Sequence, residues 1–589
     1  MIPPDLAPWV ALAVVAAMLL GFAAERFEPM TVAVAAVAAL LALGLLETGD
    51  VVGAFASPAV VAIGALFIIS GALVRTGALD RLSAGVVAGA GRAPGRTLAA
   101  MAALTVVASA FLNNTPVVMV MIPVVIAFAR AGQQAASRLL IPLSYLAILG
   151  GGCTLIGTST NLLVSEVATR SGLDPFSIFE ITSVGLLVMA AGAAFLALGG
   201  TRLLPERPTL AEMTREHAPK FLTQVLVPET SPLCGVPLAE AKVLERSGGR
   251  VIDVIRNEES LRRELDTLTL APGDRVVLRT SAQEVLDLRE DGLPVGDALS
   301  RVASTDSETM EVLVTPSSSV MGRTIQNLRL RRRHGIYPLA VHRRGRAIAP
   351  RLDAVRLQVG DTMLLEGPRA AVLRLCEEAG LVDLSRGERA LPFRRALAPL
   401  AIAVMAAVVA LAGTGLMPIA GAALLGVAVV LLARVMSAEE ALATLDGRLL
   451  VLIVAMLAVG AALEKSGAVA RIAEALAAWL EGRPGWVAIA AIFALTAVLT
   501  EAVTNNAVAV VVTPIAASLG AAVGVDPRAL VVAVMVGANS SFATPISYQT
   551  NMLVQGPGGY AFADYLRIGL PMKLVTGAAA VAAISWLWT

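Results

Sequence analysis

Two short stretches, FLNNTPVV at residues 111–118 and AVTNNAVA at residues 502–509, place asparagines in the middle of apolar sequence. They interrupt two long apolar runs, 98–130 and 484–520. A helix crosses the hydrocarbon core of a bilayer in about 20 residues, and non-helical backbone at that depth is tolerated only where it is buried in protein or lines a wet cavity. Each run therefore predicts either a kinked span or a re-entrant hairpin, and we favour the hairpin.

The composition of the whole chain is typical of a membrane protein. Of its 589 residues, 57% are hydrophobic and 15% are charged, with a mean hydropathy of +0.76, whereas soluble domains are roughly 45–50% apolar and about 25% charged. This composition excludes an ordinary cytosolic enzyme, and we expect no enzymatic activity. The formal net charge of +1 argues against nucleic acid as a partner, because a phosphate-binding face needs a basic excess.

The apolar runs form the same series in both halves of the chain. An offset of 390 residues aligns Thr154 with Thr544 and Asn161 with Asn551. With the fourth run of each half as a hairpin, five crossings remain in each half, and an odd number inverts the second copy. The runs are 8–25, 30–46, 58–75, 98–130, 139–165 and 181–200, followed by 394–412, 417–435, 449–465, 484–520, 528–554 and 566–588. We predict an all-α polytopic membrane protein with two inverted repeats, each carrying a re-entrant hairpin and a broken helix.

A charged segment separates the two apolar halves, because well over half of the Lys, Arg, Asp and Glu residues lie between 201 and 400. Within this segment an offset of 87 residues aligns Gly235 with Gly322 and Gly273 with Gly360. Each copy has the pattern of a strand, a helix and further strands after a Gly-Asp turn. The predicted domains are membrane repeat 1 at 1–201, two inserted tandem α+β domains at 206–295 and 305–388, and membrane repeat 2 at 393–589.

Loop charges predict the orientation in the membrane. Arginines such as Arg26, Arg81, Arg130 and Arg202 fall in alternate loops, which the positive-inside rule assigns to the cytoplasm. We therefore expect a multi-pass protein of the cell (inner) membrane, with 202–392 cytoplasmic and both termini external.

Each asparagine-containing stretch is followed by a segment rich in Gly, Ser, Thr and Asn, GGGCTLIGTSTNLLV at 150–164 and SSFATPISYQTNMLV at 540–554. The N-termini of broken helices present free N–H groups and a positive dipole end to an anion, and exposed carbonyls can coordinate Na⁺. Neither stretch contains Lys or Arg. An anion would therefore be held by helix dipoles and by sodium bound beside it.

These paired stretches and the broken helices after them resemble the divalent anion:sodium symporter family (solute carrier family 13) of the ion transporter superfamily. The inserted segment resembles paired RCK C-terminal (TrkA-C) domains, which occur in a sulfate-transporting branch of that family. The resemblance implies a sodium-coupled symporter that works by an elevator-type movement, and we expect no organic cofactor. It also implies a homodimer and a small regulatory ligand on the inserted domains. The triplets here are Asn-Asn-Thr and Thr-Asn-Asn where that family has Ser-Asn-Thr, and sulfate is favoured over a dicarboxylate.

The repeated polar stretches, together with the resemblance, give the candidate site residues. Those expected to bind the anion are Asn113, Asn114, Thr115, Thr158, Asn161, Thr504, Asn505, Asn506, Thr544 and Pro545. Those expected to bind sodium are Ser109, Asn114, Cys153, Thr154, Thr500, Asn505 and Ala543.

Glu501 is an ionisable residue in the apolar sequence just before the second stretch, and its counterpart at the same place in the first half is Ala110. Ionisable residues at membrane depth are functional candidates by default. Glu501 is therefore a candidate for ion coupling, with a vestibule-facing residue that only tunes the local field as the alternative. Two other functions stay open: an RCK-gated ion channel or cation/proton exchanger, and a sensor that has lost transport.

Overall fold

The computed structural model of the chain divides into two compact units. Unit 1 comprises Met1–Arg207 and Arg386–Thr589, and unit 2 comprises Pro208–Ser385. The residues that the structure describes are 3–24, 26–78, 94–131, 134–206, 221–227, 235–238, 250–256, 259–261, 268–280, 307–315, 318–343, 346–347, 355–384 and 394–588. The predicted basic loop around Arg81 and the predicted helix of the first α+β copy lie outside these residues.

The first half of unit 1 is built from nine helices among the described residues. They are α1 (Ala7–Ala23), α2 (Pro29–Ala42), α3 (Thr48–Phe55), α4 (Pro58–Arg75), α5 (Pro94–Phe111), α6 (Asn114–Ala131), α7 (Leu140–Gly151), α8 (Ser159–Arg170) and α9 (Thr182–Leu198). Prolines in the first turns of α1, α2 and α4 suit helix starts, because that position needs no backbone N–H partner.

The second half of unit 1 has helices at matching places along the chain. They are α13 (Ala398–Gly413), α14 (Ile419–Leu432), α15 (Ala438–Ala443), α16 (Gly447–Lys465), α17 (Ala468–Leu480), α18 (Gly485–Ala502), α19 (Asn505–Val523), α20 (Pro527–Asn539), α21 (Gln549–Gly558) and α22 (Phe562–Trp588). Single turns of 3₁₀-helix occur at Ala136–Arg138, Gly200–Leu203 and Arg395–Leu397.

Among the described residues, five helical segments are long and apolar enough to cross a membrane. They are Thr48–Arg75, Gly447–Lys465, Gly485–Ala502, Asn505–Val523 and Phe562–Trp588. Large apolar side chains such as Leu198, Leu432 and Trp586 are exposed on the outside of unit 1, where contact with lipid would cover them. The prediction of a mostly helical, multi-pass membrane protein is confirmed at this level.

The chain is not helical where the sequence predicted breaks. Helix α5 ends at Phe111 and α6 begins at Asn114, and the same two-residue gap separates α18 from α19. A longer non-helical segment, 152–158, lies between α7 and α8, and its counterpart 540–548 lies between α20 and α21. Helix ends therefore lie inside both halves of unit 1, at the polar residues.

Helices of the first half pack against helices of the second half in two matching pairs. Helix α2 packs against α16, and their counterparts α14 and α4 also pack together. Asp50 on α3 binds Lys465 at 2.7 Å. At an offset of 390 residues in each member, Glu440 on α15 binds Arg75 at 3.0 Å.

The acids of these two ion pairs also begin their helices in the same way. Asp50 and Glu440 each occupy the third position of a capping box, in which their side chains accept hydrogen bonds from the backbone N–H of Glu47 and Ser437. The same local motif therefore starts α3 and α15, and the same interhelical ion pair ties each of them to the opposite half.

Unit 2 contains two antiparallel sheets. The first has the strand order β1-β4-β2-β3, and the second has the order β7-β6-β8-β5-β9. The strands are β1 (Phe221–Leu226), β2 (Arg250–Arg256), β3 (Glu259–Ser260), β4 (Arg275–Thr280), β5 (Ser307–Val314), β6 (Tyr337–Arg343), β7 (Arg346–Ala347), β8 (Thr362–Pro368) and β9 (Leu381–Asp383). Short helices α10 (Ile325–Leu328) and α11 (Leu330–His334), and the longer α12 (Arg369–Ala379), accompany the second sheet.

Each sheet contains an Arg–Asp ion pair with a buried aspartate, and the two pairs are related by the offset of 87 residues. Arg256 donates from Nε and Nη2 to the two carboxylate oxygens of Asp274, at 2.7 and 2.8 Å. Arg343 makes the same two bonds to Asp361, both at 2.7 Å. Each aspartate follows a glycine whose φ is positive, +88° at Gly273 and +83° at Gly360, which is a conformation that glycine adopts without strain.

Candidate functional site

The first polar tip, residues 112–113 between α5 and α6, brings together two predicted sodium-binding side chains. Ser109 Oγ donates to Asn114 Oδ1 at 2.5 Å, and both side chains are fully buried. Asn113 accepts a hydrogen bond from the backbone N–H of Thr115 at 3.2 Å. This bond caps the start of α6, a position in which asparagine is favoured.

The second polar tip, residues 503–504 between α18 and α19, has the same central bond and adds further oxygen atoms to it. Thr500 Oγ1 donates to Asn505 Oδ1 at 2.6 Å, which matches Ser109 and Asn114. Ser541 Oγ donates to the same amide oxygen at 3.0 Å, and Thr500 Oγ1 lies 3.1 Å from the carbonyl oxygen of Ala538. Two hydroxyls, an amide oxygen and a backbone carbonyl therefore meet at this tip.

Two polar atoms at the second tip have no hydrogen-bond partner among the residues that the structure describes. They are Oγ1 of Thr504 and Nδ2 of Asn505, both buried atoms. Thr504 is the N-cap residue of α19, yet its side chain makes no capping bond. An unpaired buried donor costs about 1–3 kcal/mol. A ligand that supplies acceptor oxygens would recover this free energy.

The two non-helical segments that follow the tips are held by matching bonds. Asn161 Nδ2 donates to the carbonyl oxygen of Thr154 at 2.9 Å, and Asn551 Nδ2 donates to that of Thr544 at 3.2 Å. The hydroxyls of Thr154 and Thr544 each accept the backbone N–H three residues later, at 3.1 and 3.2 Å. The same fold of backbone is thus built twice.

The remaining amide oxygens of Asn161 and Asn551 also have protein partners. Asn539 Nδ2 donates to Asn161 Oδ1, and Ser144 Oγ donates to Asn551 Oδ1, both at 2.7 Å. Both polar atoms of each asparagine are therefore engaged in holding the segments. This geometry gives Asn161 a positioning role beside the anion-binding role that the family resemblance implies for it.

The other predicted residues are placed as follows. Thr158 Oγ1 contacts Asn539 Oδ1 at 3.4 Å, and Asn506 Oδ1 accepts from Thr160 at 3.0 Å. The hydroxyl of Thr154 donates to the carbonyl of Ala110. The thiol of Cys153 is directed at the carbonyl of Leu149, 3.4 Å away, and the Cys153 carbonyl accepts from Thr182. Ala543 and Pro545 lie buried in the segment 540–548.

Glu501 has a basic partner that the sequence analysis did not identify. Lys573 Nζ lies 2.6 Å from Glu501 Oε1, which also accepts the backbone N–H of Ala543 at 3.0 Å. Lys573 is a lysine within the apolar helix α22, and that position is itself the signal that could have found it. The pair joins α18, α22 and the segment 540–548.

Three further side chains at the tips were missed: Ser541, Tyr548 and Gln549. Tyr548 accepts a hydrogen bond from Asn114 Nδ2 at 2.8 Å, and Gln549 accepts one from Thr115 Oγ1 at 3.0 Å. Alignment at the offset of 390 residues could have singled out Ser541, because this hydroxyl-bearing residue of the second half is matched by a glycine, Gly151, in the first half. A Cβ at Gly151 would lie 2.5 Å from Asn114 Oδ1, so the first tip has no room for the serine.

The oxygen atoms at the tips are better ligands for a monovalent or hard cation than for a transition metal. Within the part of the chain that the structure describes, no three His, Cys, Asp or Glu residues are grouped so that they could hold a metal ion. Hydroxyl, amide and carbonyl oxygens are ligands for hard cations, and hydroxyl hydrogens can rotate away from a bound cation. The residues present at the second tip therefore fit Na⁺.

The sequence of this chain matches the model of the CitMHS family, described as citrate transporter, over residues 18–537. The chain belongs to the citrate transporter family. An uncharacterized transporter of Synechocystis is 32% identical over 579 residues, covering 96% of this chain and 94% of that protein. These relationships support transport rather than catalysis as the function of the chain.

Relatives of this chain also occur in Chlamydomonas reinhardtii. A putative sulfur deprivation response regulator is 32% identical over 562 residues, covering 91% of this chain and 94% of that protein. Sodium/sulfate cotransporter 2 is 30% identical over 327 residues, covering 51% of this chain and 36% of that protein. The resemblance to the ion transporter superfamily is therefore confirmed at the level of the family and of its sodium/sulfate cotransporter homologues.

Proposed function

We propose that this transporter is a sodium-coupled symporter of a small divalent anion, with sulfate favoured over dicarboxylates. The observation that carries the proposal is that the amide oxygen and the amide nitrogen of Asn505 have different surroundings. Its oxygen lies among the hydroxyls of Thr500 and Ser541, while its nitrogen is buried without a partner. One side chain can thus contact a cation through Oδ1 and an anion through Nδ2 at the same time.

This arrangement would make anion binding depend on sodium. With no Lys or Arg at the tips, a dianion would meet only partial positive charges from the amide, the hydroxyl of Thr504 and the N-terminus of α19. A sodium ion held by Asn505 Oδ1 would supply the missing full charge. Sulfate is favoured because a sodium/sulfate cotransporter is among the relatives of the chain.

We further propose that the halves are inverted repeats that work by an elevator-type movement. The reciprocal packing of α2 with α16 and of α14 with α4 supports a pseudo-two-fold relation between them. An odd number of crossings in each half, with the tips as re-entrant hairpins, would place that axis in the membrane plane. The tips and broken helices of both halves would then move together past the other helices.

The inserted segment is proposed to be regulatory. The repeated Arg–Asp pairs support two copies of one domain, the sequence resemblance assigns these copies to the RCK C-terminal type, and a small ligand would act on them. The predicted cytoplasmic position of 202–392, external termini, an inner-membrane location and a homodimer remain part of this proposal.

Uptake into proteoliposomes tests the proposed function. Radiolabelled sulfate, succinate and citrate are supplied with and without an inward sodium gradient. We expect sodium-dependent sulfate uptake. Anion uptake that is absent or independent of sodium, together with a robust K⁺ flux, would favour the channel or exchanger and overturn the proposal.

A sensor that has lost transport is a second candidate, because one relative is described as a putative sulfur deprivation response regulator. The same purified protein distinguishes the two. A sensor would be stabilised against thermal unfolding by sulfate in the presence of sodium and yet would move no label across the membrane.

A further inference from the structure

The two polar tips differ in whether their donors are already used. At the first tip, Asn114 Nδ2 donates to Tyr548 Oη at 2.8 Å, and Thr115 Oγ1 donates to Gln549 Oε1 at 3.0 Å. The start of α6 is capped by Asn113. Asn114 Nδ2 and Thr115 Oγ1, two of the donors that this tip could offer an anion, are therefore engaged by side chains of the same protein.

The second tip has the opposite character. Asn505 is 6% exposed, and within the described part of the chain neither its Nδ2 nor the buried hydroxyl of Thr504 has a partner. These atoms lie at the start of α19, a helix of 19 residues whose N-cap side chain makes no capping bond. The positive end of the helix dipole and two free polar groups thus coincide at one place.

A single pair of matched residues explains the difference. At the offset of 390 residues, Tyr548 corresponds to Thr158. The tyrosine reaches from the second half to Asn114, whereas the shorter threonine contacts Asn539 instead of the second tip. Among the described residues, Thr158 thus makes no bond to the second tip that matches the bond of Tyr548 to the first tip.

We propose that Tyr548, with Gln549, closes the first tip and thereby restricts the site to a compact oxyanion held at the second tip alone. This inference rests on the proposed function and deepens it by naming a residue that determines specificity. A tetrahedral dianion can place all its oxygens near Asn505, Thr504 and the adjacent sodium. An extended dicarboxylate needs donors for a second, distant carboxylate, and Tyr548 holds the donor that the first tip would supply.

The cost to a dicarboxylate is set by desolvation. A carboxylate that leaves water without recovering its hydrogen bonds loses far more free energy than a methylene gains by burial. Releasing Asn114 Nδ2 from Tyr548 should therefore change selectivity more than it changes sulfate transport.

Two variants and one control test this inference. Tyr548→Phe removes the hydroxyl and keeps the ring, which frees Asn114 Nδ2. Tyr548→Thr also removes the ring and copies residue 158. The control, Tyr560→Phe, removes a tyrosine hydroxyl that accepts from the N–H of Ile141 and donates to the carbonyl of Ser137, away from both tips.

The measured quantity is the ratio of kcat/KM for sodium-driven sulfate uptake to that for succinate uptake in proteoliposomes. We expect this ratio to fall at least ~10-fold in Tyr548→Thr, in line with one hydrogen bond to a charged group, and less in Tyr548→Phe. The control should keep the ratio of the unmodified protein. An unchanged ratio in both Tyr548 variants, or equal uptake of the two anions by the unmodified protein, would overturn the inference.

Thermal stabilisation of the purified protein separates this inference from the proposed function. Sodium sulfate and sodium succinate are compared at equal sodium concentration. Preferential stabilisation by sulfate that is lost in Tyr548→Thr supports the inference even in a protein that does not transport, a result that would overturn the symporter proposal alone. Equal stabilisation of the unmodified protein by both salts overturns the inference.

Discussion

Nζ of Lys573 lies 2.6 Å from Oε1 of Glu501 between helices α22 and α18. Both side chains are largely buried, with 13% and 16% of their surfaces exposed. The ammonium group also donates to the carbonyl of Ala497 at 2.5 Å. The other carboxylate oxygen of Glu501 is buried and has no partner in the described ranges, so the carboxylate depends on Lys573 and the N–H of Ala543.

Removing either member of this pair should destabilise the protein strongly. Glu501→Gln and Lys573→Met should each cost roughly 3 kcal/mol, because each leaves a buried charge without its counter-charge. The double variant should recover most of this loss. Thermal unfolding in detergent measures the cycle, and losses that simply add in the double variant would show that the two charges do not support each other.

The asparagines of the two tips should both be required for transport. Asn505→Ala removes the free donor and the amide oxygen together, and Asn114→Ala removes the partner of Ser109. We expect Asn505→Ala to lower kcat/KM for anion uptake by roughly 100-fold, the scale of a hydrogen bond to a charged group, and Asn114→Ala to lower it because an expected sodium ligand is lost. Asn327→Ala in unit 2 is the matched control.

Asn505→Asp refines this test, because it keeps an oxygen for sodium and replaces the donor with a negative charge. Binding of ²²Na⁺ should persist while sulfate uptake is lost. Normal sulfate transport by any of the three tip variants would show that the site is misplaced.

The two reciprocal ion pairs should differ in strength. Lys465 is 50% exposed, whereas Arg75 and Glu440 are 20% and 29% exposed, and one nitrogen of Arg75 is already buried without a partner. Asp50→Asn should therefore change stability by less than about 1 kcal/mol, and Glu440→Gln should cost about 1–3 kcal/mol. Thermal unfolding midpoints decide the order, and a larger loss for Asp50→Asn would contradict the argument.

Acid should remove one contribution to the stability of the first sheet of unit 2. Burial opposes ionisation of Asp274 and is the largest single influence, but the hydrogen bonds and charge of Arg256 together with the N–H of Ala271 outweigh it, so the pKa of Asp274 lies below its ordinary value. The stabilisation is therefore full above the unfolded pKa of about 3.9 and is lost as pH falls through the lower folded value.

Proteolysis of the full-length protein by pepsin tests this dependence. At pH 5, Asp274→Asn should be cut faster than the unmodified protein between 250 and 280. As pH falls below the unfolded value and through the lower folded pKa, the two rates should converge because Asp274 becomes protonated. A difference that does not change with pH would mean that ionisation of this carboxyl does not stabilise the sheet.

Removal of the inserted segment should leave the transport site intact. Because every contact of Asn114 and Asn505 described above lies within unit 1, deletion of residues 206–388 should retain sulfate binding and change only its regulation. Isothermal titration with sodium sulfate measures this. Loss of all binding in a well-folded deletion variant would show that the segment is part of the transport machinery.

Much of the site was predictable from sequence because its central bonds are local. Asparagines in apolar runs indicate helix breaks, and the five-residue spacing from Ser109 to Asn114 recurs from Thr500 to Asn505. The repeat made these positions stand out, and the structure places their side chains in contact.

The partners of the first tip were not predictable in the same way. Tyr548 and Asn114 are 434 residues apart, and their contact depends on how α21 packs against α6. No local pattern contains that packing. Lys573 was within reach of sequence reasoning, since a lysine in an apolar helix needs a counter-charge, but the identity of its partner again depends on packing between helices.

The differences at matched positions bear on which side of the membrane the resting protein faces. Were the two repeats identical, exchanging their conformations would turn an outward-open molecule into an inward-open one at no cost, and both forms would be equally populated. The replacements of Gly151 by Ser541, Ala110 by Glu501 and Thr158 by Tyr548 remove that equality. A free-energy gap of about 1.4 kcal/mol already gives a tenfold preference. If the halves are the inverted repeats proposed above, these three positions are among those that decide which side of the membrane the empty protein faces.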